Sequence, residues 1–220
     1  MKSVKKLVPH RVAKAASART ALPAAGEEHW EARRRRLRQE LIDEGLRQFQ
    51  ARGFDAVTVT DIVENVDISR RSFFRYFDSK EDLAFSWMDD SGEIIRPMLR
   101  ESLRKAGLMA ALRDCFLEAA ARHDSDPERI TQLTRLAFET PSLRGRYQYE
   151  YVRWENEFAQ IAQQVLKLSE ARRYELHVQS ALAITAWASA LQEWARHDHR
   201  KPLRGYVITA FAILLKNSTR

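Results

Sequence analysis

The stretch TVTDIVENVDISRRSFFRYFDSKEDL, residues 58–83 of a 220-residue chain, decides the fold. It opens on Thr58-Val59-Thr60-Asp61, a hydroxyl followed three residues later by an acid. At a helix start the hydroxyl accepts an otherwise unpaired backbone N–H and the acid reaches back to the cap. Val59, Ile62, Val63 and Val66 follow at helical spacing. A second helix is predicted over Ser69 to Tyr76, and Ser79-Lys80-Glu81-Asp82 repeats the start signal for a third, with Leu83 and Trp87 inside. At about 100° per residue, Phe73 and Phe77 share one face of the middle helix, and Arg71 and Arg75 lie nearly opposite. The aromatic pair would anchor the helix and turn the arginines outward. Arginine reads guanine O6 and N7 with two hydrogen bonds and also grips phosphate. A solvated helical face is the alternative for the same two residues.

Outward from this stretch the pattern stays helical. After Gly26, Leu37, Leu41, Leu46 and Phe49 mark a helix ending near Arg52, before Gly53. With the stretch above it outlines a helix-turn-helix. The Arg33–Arg36 run is expected in the first turns of that helix, where the dipole disfavours positive charge. Pro97 and Gly107 are expected to break the chain before an amphipathic run through Leu108, Leu112, Phe116 and Ala119. Asp126-Pro127 reads as a cap followed by proline at the first helical position. Tyr151, Trp154, Phe158, Ile161, Val165 and Leu168 form an apolar stripe, and Ser169 is expected to cap the helix after it. No internal repeat is present.

Composition excludes several classes. Apolar residues make up 45% of the chain, enough for a core, and the low count of seven Gly and six Pro favours long helices over a turn-rich β fold. One cysteine allows no internal disulfide or cysteine-based zinc site. The net charge of +7 is local: residues 1–38 hold eleven basic and three acidic side chains, a balance of +8. That is the footprint of a polyanion-binding segment. Residues 1–26 contain no acid and show no apolar periodicity, so they read as a disordered basic arm. Its composition fits contact with DNA phosphates or a minor groove, an organellar transit peptide, or a tail with no specific role. No secretory signal and no membrane span is expected.

The run Phe49, Gly53-Phe54, Thr58-Val59, Asp61-Ile62, Ile68-Ser69-Arg70-Arg71-Ser72-Phe73-Phe74-Arg75-Tyr76-Phe77, Ser79-Lys80-Glu81-Asp82-Leu83 resembles the DNA-binding domain of TetR-family transcriptional regulators. The resemblance covers about 45 of the 220 residues. It implies an all-α bacterial regulator with an N-terminal three-helix DNA-binding domain over 27–85. A helical ligand-binding and dimerisation domain over 86–220 would follow. The implied function is repression in the cytoplasm, at the nucleoid, by a homodimer on a double-stranded, pseudo-palindromic operator that a small-molecule effector releases. The alternative is a DNA binder of the same architecture without a ligand.

Carried over by position, the family's pattern places Thr58, Thr60, Arg70, Arg71, Ser72, Phe74 and Arg75 at the DNA, with Tyr76 and Lys80 on phosphates. Arg33, Arg34, Arg35 and Arg36 would add salt-sensitive affinity. Three positions depart from the pattern: Asp67 stands where glycine is usual in the turn, Arg71 where many members have Gly, and Phe74 where many have Tyr. Architecture nominates Trp87, Phe116, Phe138, Tyr147, Tyr151, Trp154, Phe158 and Trp187, with Trp194, as pocket candidates; aromatics at this spacing are also ordinary core. Ile184, Ala188, Leu191, Tyr206, Val207, Ala210, Phe211 and Leu214 are expected at the dimer interface, burial within one protomer being the alternative. No cofactor, metal or enzymatic activity is expected. Cys115 sits in an apolar pattern, His197-Asp198-His199 reads as a polar turn, and no phosphate loop or nucleophile motif occurs.

Overall fold

The computed structural model describes residues 25–217. Among them the chain is helical throughout, with no strand: α1 (Ala25–Arg52), α2 (Val59–Val66), α3 (Arg70–Phe73), α4 (Lys80–Ser102), α5 (Leu108–His123), α6 (Pro127–Glu139), α7 (Arg144–Leu166), α8 (Arg173–Arg196) and α9 (Leu203–Asn217). Short 3₁₀ turns, Pro141–Leu143 and Glu170–Arg172, lead into α7 and α8. No described helix is long and apolar enough to cross a membrane.

Contacts divide the chain after Leu37. The basic arm expected over residues 1–26 lies outside the described residues except for Ala25 and Gly26, the first two of α1. Arg33–Arg36 therefore sit in the third turn of α1 and not in its first turns. The dipole acts within the first turn, so the expected penalty does not apply. The four side chains are exposed; Arg35 pairs with Glu31 at 3.6 Å, and the Arg34 guanidinium lies over the Trp30 ring at 5.6 Å.

From Arg38 onward one continuous core runs from α1 to α9. Leu41, Ile42, Leu46 and Phe49 of α1 meet Ile62, Val63, Phe73 and Leu83 in it. Gly53 ends α1 with φ +81°, a left-handed conformation that glycine adopts without cost, and its N–H donates to Phe49 O at 2.9 Å. Pro97 does not break the chain: α4 continues through it to Ser102. The missing N–H costs one ladder bond, offset by burial of Ile95, Leu99 and Leu103 around it. α4 thus crosses the boundary expected at 85/86, and the two halves share one helix. Gly107, at the N-cap of α5, is the actual break. Ser169 precedes a 3₁₀ turn and makes no side-chain cap bond, because α8 starts four residues later.

Charged pairs latch α4 to α7. Arg146 binds Asp82 and Glu150, each at 2.7 Å, and Arg153 binds Glu150 and Asp89, each at 2.6 Å. Glu150 is only 2% exposed, so removing either arginine leaves a buried carboxylate short of a partner. At the α8–α9 turn, Arg135 donates to Asp198 Oδ1 at 2.6 Å and to Ala195 O at 2.8 Å, and His199 Nδ1 lies 3.2 Å from the Thr131 hydroxyl. These groups serve the turn.

Candidate nucleic-acid interface, cleft and apolar face

α2 is held by a reciprocal cap. Thr58 Oγ1 accepts from Asp61 N at 3.2 Å, and Asp61 Oδ2 accepts from Thr58 N at 2.7 Å. Arg52 binds the same carboxylate at 3.0 Å and ties the end of α1 to the start of α2. The hydrogen bonds from Thr58, then the one from Arg52, hold the Asp61 carboxyl well below the usual range. α2 ends at Asp67 with φ 55° and ψ 48°, the left-handed turn that usually calls for glycine.

The helix predicted over Ser69–Tyr76 is shorter than expected. Its α segment is Arg70–Phe73, and the chain then tightens through i→i+3 bonds, Arg75 N to Ser72 O and Tyr76 N to Phe73 O. Phe73 and Phe77 are buried with ring centroids 5.5 Å apart, while Arg70, Arg71, Phe74 and Arg75 are exposed. Phe74 is 45% exposed, a large apolar group held out into solvent. Among the described residues no ion pair or hydrogen bond engages the guanidinium of Arg70, Arg71 or Arg75. The segment therefore offers three cations and one apolar ring on a surface fixed from beneath by two phenylalanines.

The other expected contacts divide. Thr60 is exposed, but the Thr58 hydroxyl belongs to its cap, and the Ser72 hydroxyl lies 3.0 Å from that of Ser69, which caps α3. Tyr76 packs partly against the core. Lys80 is drawn inward: its Nζ donates to Phe54 O and Val57 O, each at 2.8 Å, and lies 4.3 Å from the Phe54 ring centroid. It clamps the α1–α2 loop, adding to the 3.3 Å bond that Phe54 O accepts from Val57 N. Two of the three ammonium N–H groups are committed to these bonds. Lys80→Met is thus expected to lower stability by about 2 kcal/mol, read by urea denaturation, besides any effect on DNA.

A cavity of about 210 Å³ lies between α1, α4, α5 and α6. Trp87, Ser91 and Ile94 of α4 face Ala119 and His123 of α5 across it, with Ile130 and Leu133 of α6. Of the aromatic pocket candidates Trp87 alone lines it. Phe116 stacks on Trp187 at 4.9 Å and 11° and packs near Phe158 and Phe211, while Trp154 and Trp194 are fully buried. Phe138, Tyr147 and Tyr151 form a separate cluster, the two phenol oxygens 2.5 Å apart. Phe116, Tyr151, Trp154, Phe158, Trp187 and Trp194 fill the core because they lie on the inner stripes of α5, α7 and α8, while Phe138 of α6 and Tyr147 are half-buried. Cys115 is buried too, and burial pushes its thiol up to about 12.

Sequence reasoning missed His123. It is buried beside Trp87 and Trp187, ring centroids 6.1 Å and 5.7 Å away, and burial pushes its pKa down to about 4. Asp90 of α4, Arg122 of α5, and Asp126 and Arg129 of α6 line the same cavity. The unfolded chain then binds a proton, between its ordinary pKa near 6.5 and about 4, that the folded chain refuses. Stability is therefore expected to fall by about 3 kcal/mol as pH drops through that window. The carboxylates with lowered pKa, such as Asp61, lose stability only at lower pH. The slope between pH 5 and 6.5 should vanish in His123→Phe, as followed by denaturation across pH.

The expected interface residues also divide. Ile184, Leu191, Val207 and Phe211 lie inside the protomer's own core and cannot meet a partner; Ala188, Tyr206, Ala210 and Leu214 are half-buried. The exposed stripe of α8 is the adjacent one, Val178, Leu182, Thr185 and Ser189, and α9 exposes Ile208, Ile213 and Leu215. Of these, Ser189, Ile208 and Ile213 line an open groove of about 790 Å³ between α8 and α9, together with Tyr206.

An all-helical chain that holds a short arginine-bearing helix out of a small capped domain is a helix-turn-helix protein, built to read DNA. Residues 41–86 match the profile described as bacterial regulatory proteins, tetR family, and residues 106–218 that of the MftR C-terminal domain. The chain belongs to the TetR family of transcriptional regulators. It is 30% identical to the HTH-type transcriptional regulator TcmR of Streptomyces glaucescens over 133 residues, 58% of this chain but only 59% of TcmR. It is 28% identical over 174 residues to MftR of Mycobacterium tuberculosis, a protein assigned to regulation of mycofactocin biosynthesis, covering 76% and 83% of the two chains. Its fold is similar to that of Thermus thermophilus FadR in complex with lauroyl-CoA, with a TM-score of 0.54 at 20% identity, covering 81% and 93% of the two chains. A TetR-family regulator from Syntrophomonas wolfei superposes with a TM-score of 0.58 at 11% identity, covering 85% and 97%.

Proposed function

We propose that the chain is an effector-responsive repressor that binds a pseudo-palindromic operator as a homodimer. The observation that carries this reading is the surface of Arg70, Arg71, Phe74 and Arg75, unpaired among the described residues and backed by buried Phe73 and Phe77. Arg71 and Arg75 read base edges, and Phe74 meets a thymine methyl. Thr60 lies at the backbone, and Arg33–Arg36 with the preceding arm supply salt-sensitive affinity. Working on chromosomal DNA, the protein acts in the bacterial cytoplasm. Division into a DNA-reading part, 27–85, and an effector and dimerisation part, 86–220, goes with this role.

The partner is a second copy. The apolar groups exposed on α8 and α9 lie beside small residues, Ser189, Gly205 and Thr209, that let helices approach closely. A two-fold pairing of α8 and α9 with the same helices of another copy covers them and sets two reading surfaces on one DNA face. Effector control runs through α4, which borders the cavity and begins just after the reading segment. A ligand that prefers one placement of α4 shifts operator affinity by its preference and no more. The complexes of FadR with acyl-CoA support an effector-binding body, although the cavity of about 210 Å³ is smaller than such a molecule needs.

Selection of DNA fragments from around the chain's own gene tests the reading. An inverted repeat is expected, with half-site centres about 34–36 Å apart or a multiple of that. Recovery of single asymmetric sites, or of no preferred sequence, would contradict it.

A further inference from the structure

α4 and α7 meet along a ladder of charge. Asp82, Asp89 and Arg96 recur at heptad spacing on α4, and each holds a partner on α7: Arg146 at 2.7 Å, Arg153 at 2.6 Å and Glu157 at 2.5 Å. The partners ascend in the same order, so the two helices run parallel. Glu150, buried between the first two rungs, bonds Arg146 at 2.7 Å and meets Arg153 at 2.6 Å as an ion pair. Asp82, Arg146, Glu150, Arg153 and Asp89 thus form one alternating chain. A shift of α4 along α7 by half a turn, about 2.7 Å, stretches all three rungs at once. The third rung has its charges reversed, with the arginine on α4. A two-turn slip therefore sets Arg96 against Arg153 in one direction and Asp89 against Glu157 in the other.

Gly92 serves the third rung. It is buried inside α4, where glycine weakens a helix relative to alanine. A Cβ at this position would lie 2.9 Å from Arg96 Nη2, so the absent side chain is the seat of the guanidinium that reaches Glu157.

We infer that this ladder sets the placement of the DNA-reading segment on the dimerised body, and with it the half-site spacing that the dimer accepts. α4 begins just after the reading segment, and α7 packs along α8, whose exposed stripe faces the second copy in the reading above. The inference rests on that dimeric reading and adds the residues that fix its geometry. Desolvation offsets much of the attraction within such pairs, and what they fix best is register. Arg96 and Glu157 are positioning residues, acting on DNA through α4.

The test uses the full chain with the operator recovered by selection, the same operator with one base pair added or removed at its centre, and a single half-site. Each such change moves the half-sites by about 3.4 Å and turns one against the other. Wild type should prefer the native spacing by about a hundredfold, since both half-sites must be met together. Arg96→Glu sets two carboxylates face to face and should cut that preference to about tenfold or less. Its affinity for the single half-site should equal that of wild type, and its melting curve should show a folded protein. Asp89→Asn, at a half-exposed side chain, removes the middle rung without adding a charge and should act in the same direction. Arg96→Glu combined with Glu157→Arg restores an opposite pair and should recover the preference, which a loss through destabilisation alone would not do. Wild-type preference in every folded single variant overturns the ladder while the dimeric reading stands. Equal loss in Arg96→Glu and in the double exchange also overturns it. Equal affinity of the wild type for all spacings overturns the dimeric reading, and the inference with it.

Discussion

Exchange of Arg71 and Arg75 together for Ala is expected to weaken operator binding by about 2–6 kcal/mol, from about 1–3 kcal/mol for each base-reading arginine. Both guanidinia are free of partners among the described residues and stand on a segment whose opposite side is buried, so the loss falls on DNA and not on the fold. Phe73 and Phe77 remain in the core, and the denaturation midpoint should not move. Binding to unrelated DNA should fall much less, because phosphate contact is shared among more cations. A fluorescence titration with operator and with scrambled duplex separates the two. Equal losses on both duplexes would mean that the arginines act as phosphate contacts.

Replacement of Ile208 and Ile213 by Glu is expected to convert the dimer to monomers and abolish operator binding at the same protein concentrations. Ile208 is 50% exposed and Ile213 59%, so the substitutions cost the isolated protomer little. In a dimer the same positions lie on the two-fold face, where each added carboxylate is desolvated opposite its own copy. Two half-sites bound by linked protomers hold far more tightly than one half-site alone. Sedimentation at low concentration should show a monomer with an unchanged helical spectrum. A dimer that persists in the double variant would move the interface elsewhere.

The sequence disclosed most where the governing physics is local. The Thr58–Asp61 cap, the Ser79 start, the left-handed turn at Asp67 and the opposition of Phe73 to Arg71 all depend on neighbours within one or two turns. Where the outcome depends on what packs across the chain, spacing alone did not settle it. Pro97 reads as a breaker, yet the buried flank of α4 carries the helix past it. α9 is apolar nearly all round, and the periodicity cannot say that Val207 and Phe211 face inward while Ile208 and Ile213 face out. Lys80 reads as a surface cation until the α1–α2 loop brings the Phe54 and Val57 carbonyls to it. His123 gave no signal, since only the meeting of α4, α5 and α6 makes it a buried imidazole at a cavity. The family's architecture nominated these aromatics for a pocket, with ordinary core as the alternative, and most of the rings are buried in the core.

The central claim is that sequence reading resides in the segment from Arg70 to Arg75, presented twice by a symmetric dimer. Affinity measured for every single base-pair change in the operator, with wild type and with Arg71→Ala, tests it most directly. The account predicts that the variant loses discrimination at one base pair in each half-site, the two related by the operator's two-fold, and keeps it elsewhere. A uniform loss across all positions, or a change in one half-site alone, would contradict it.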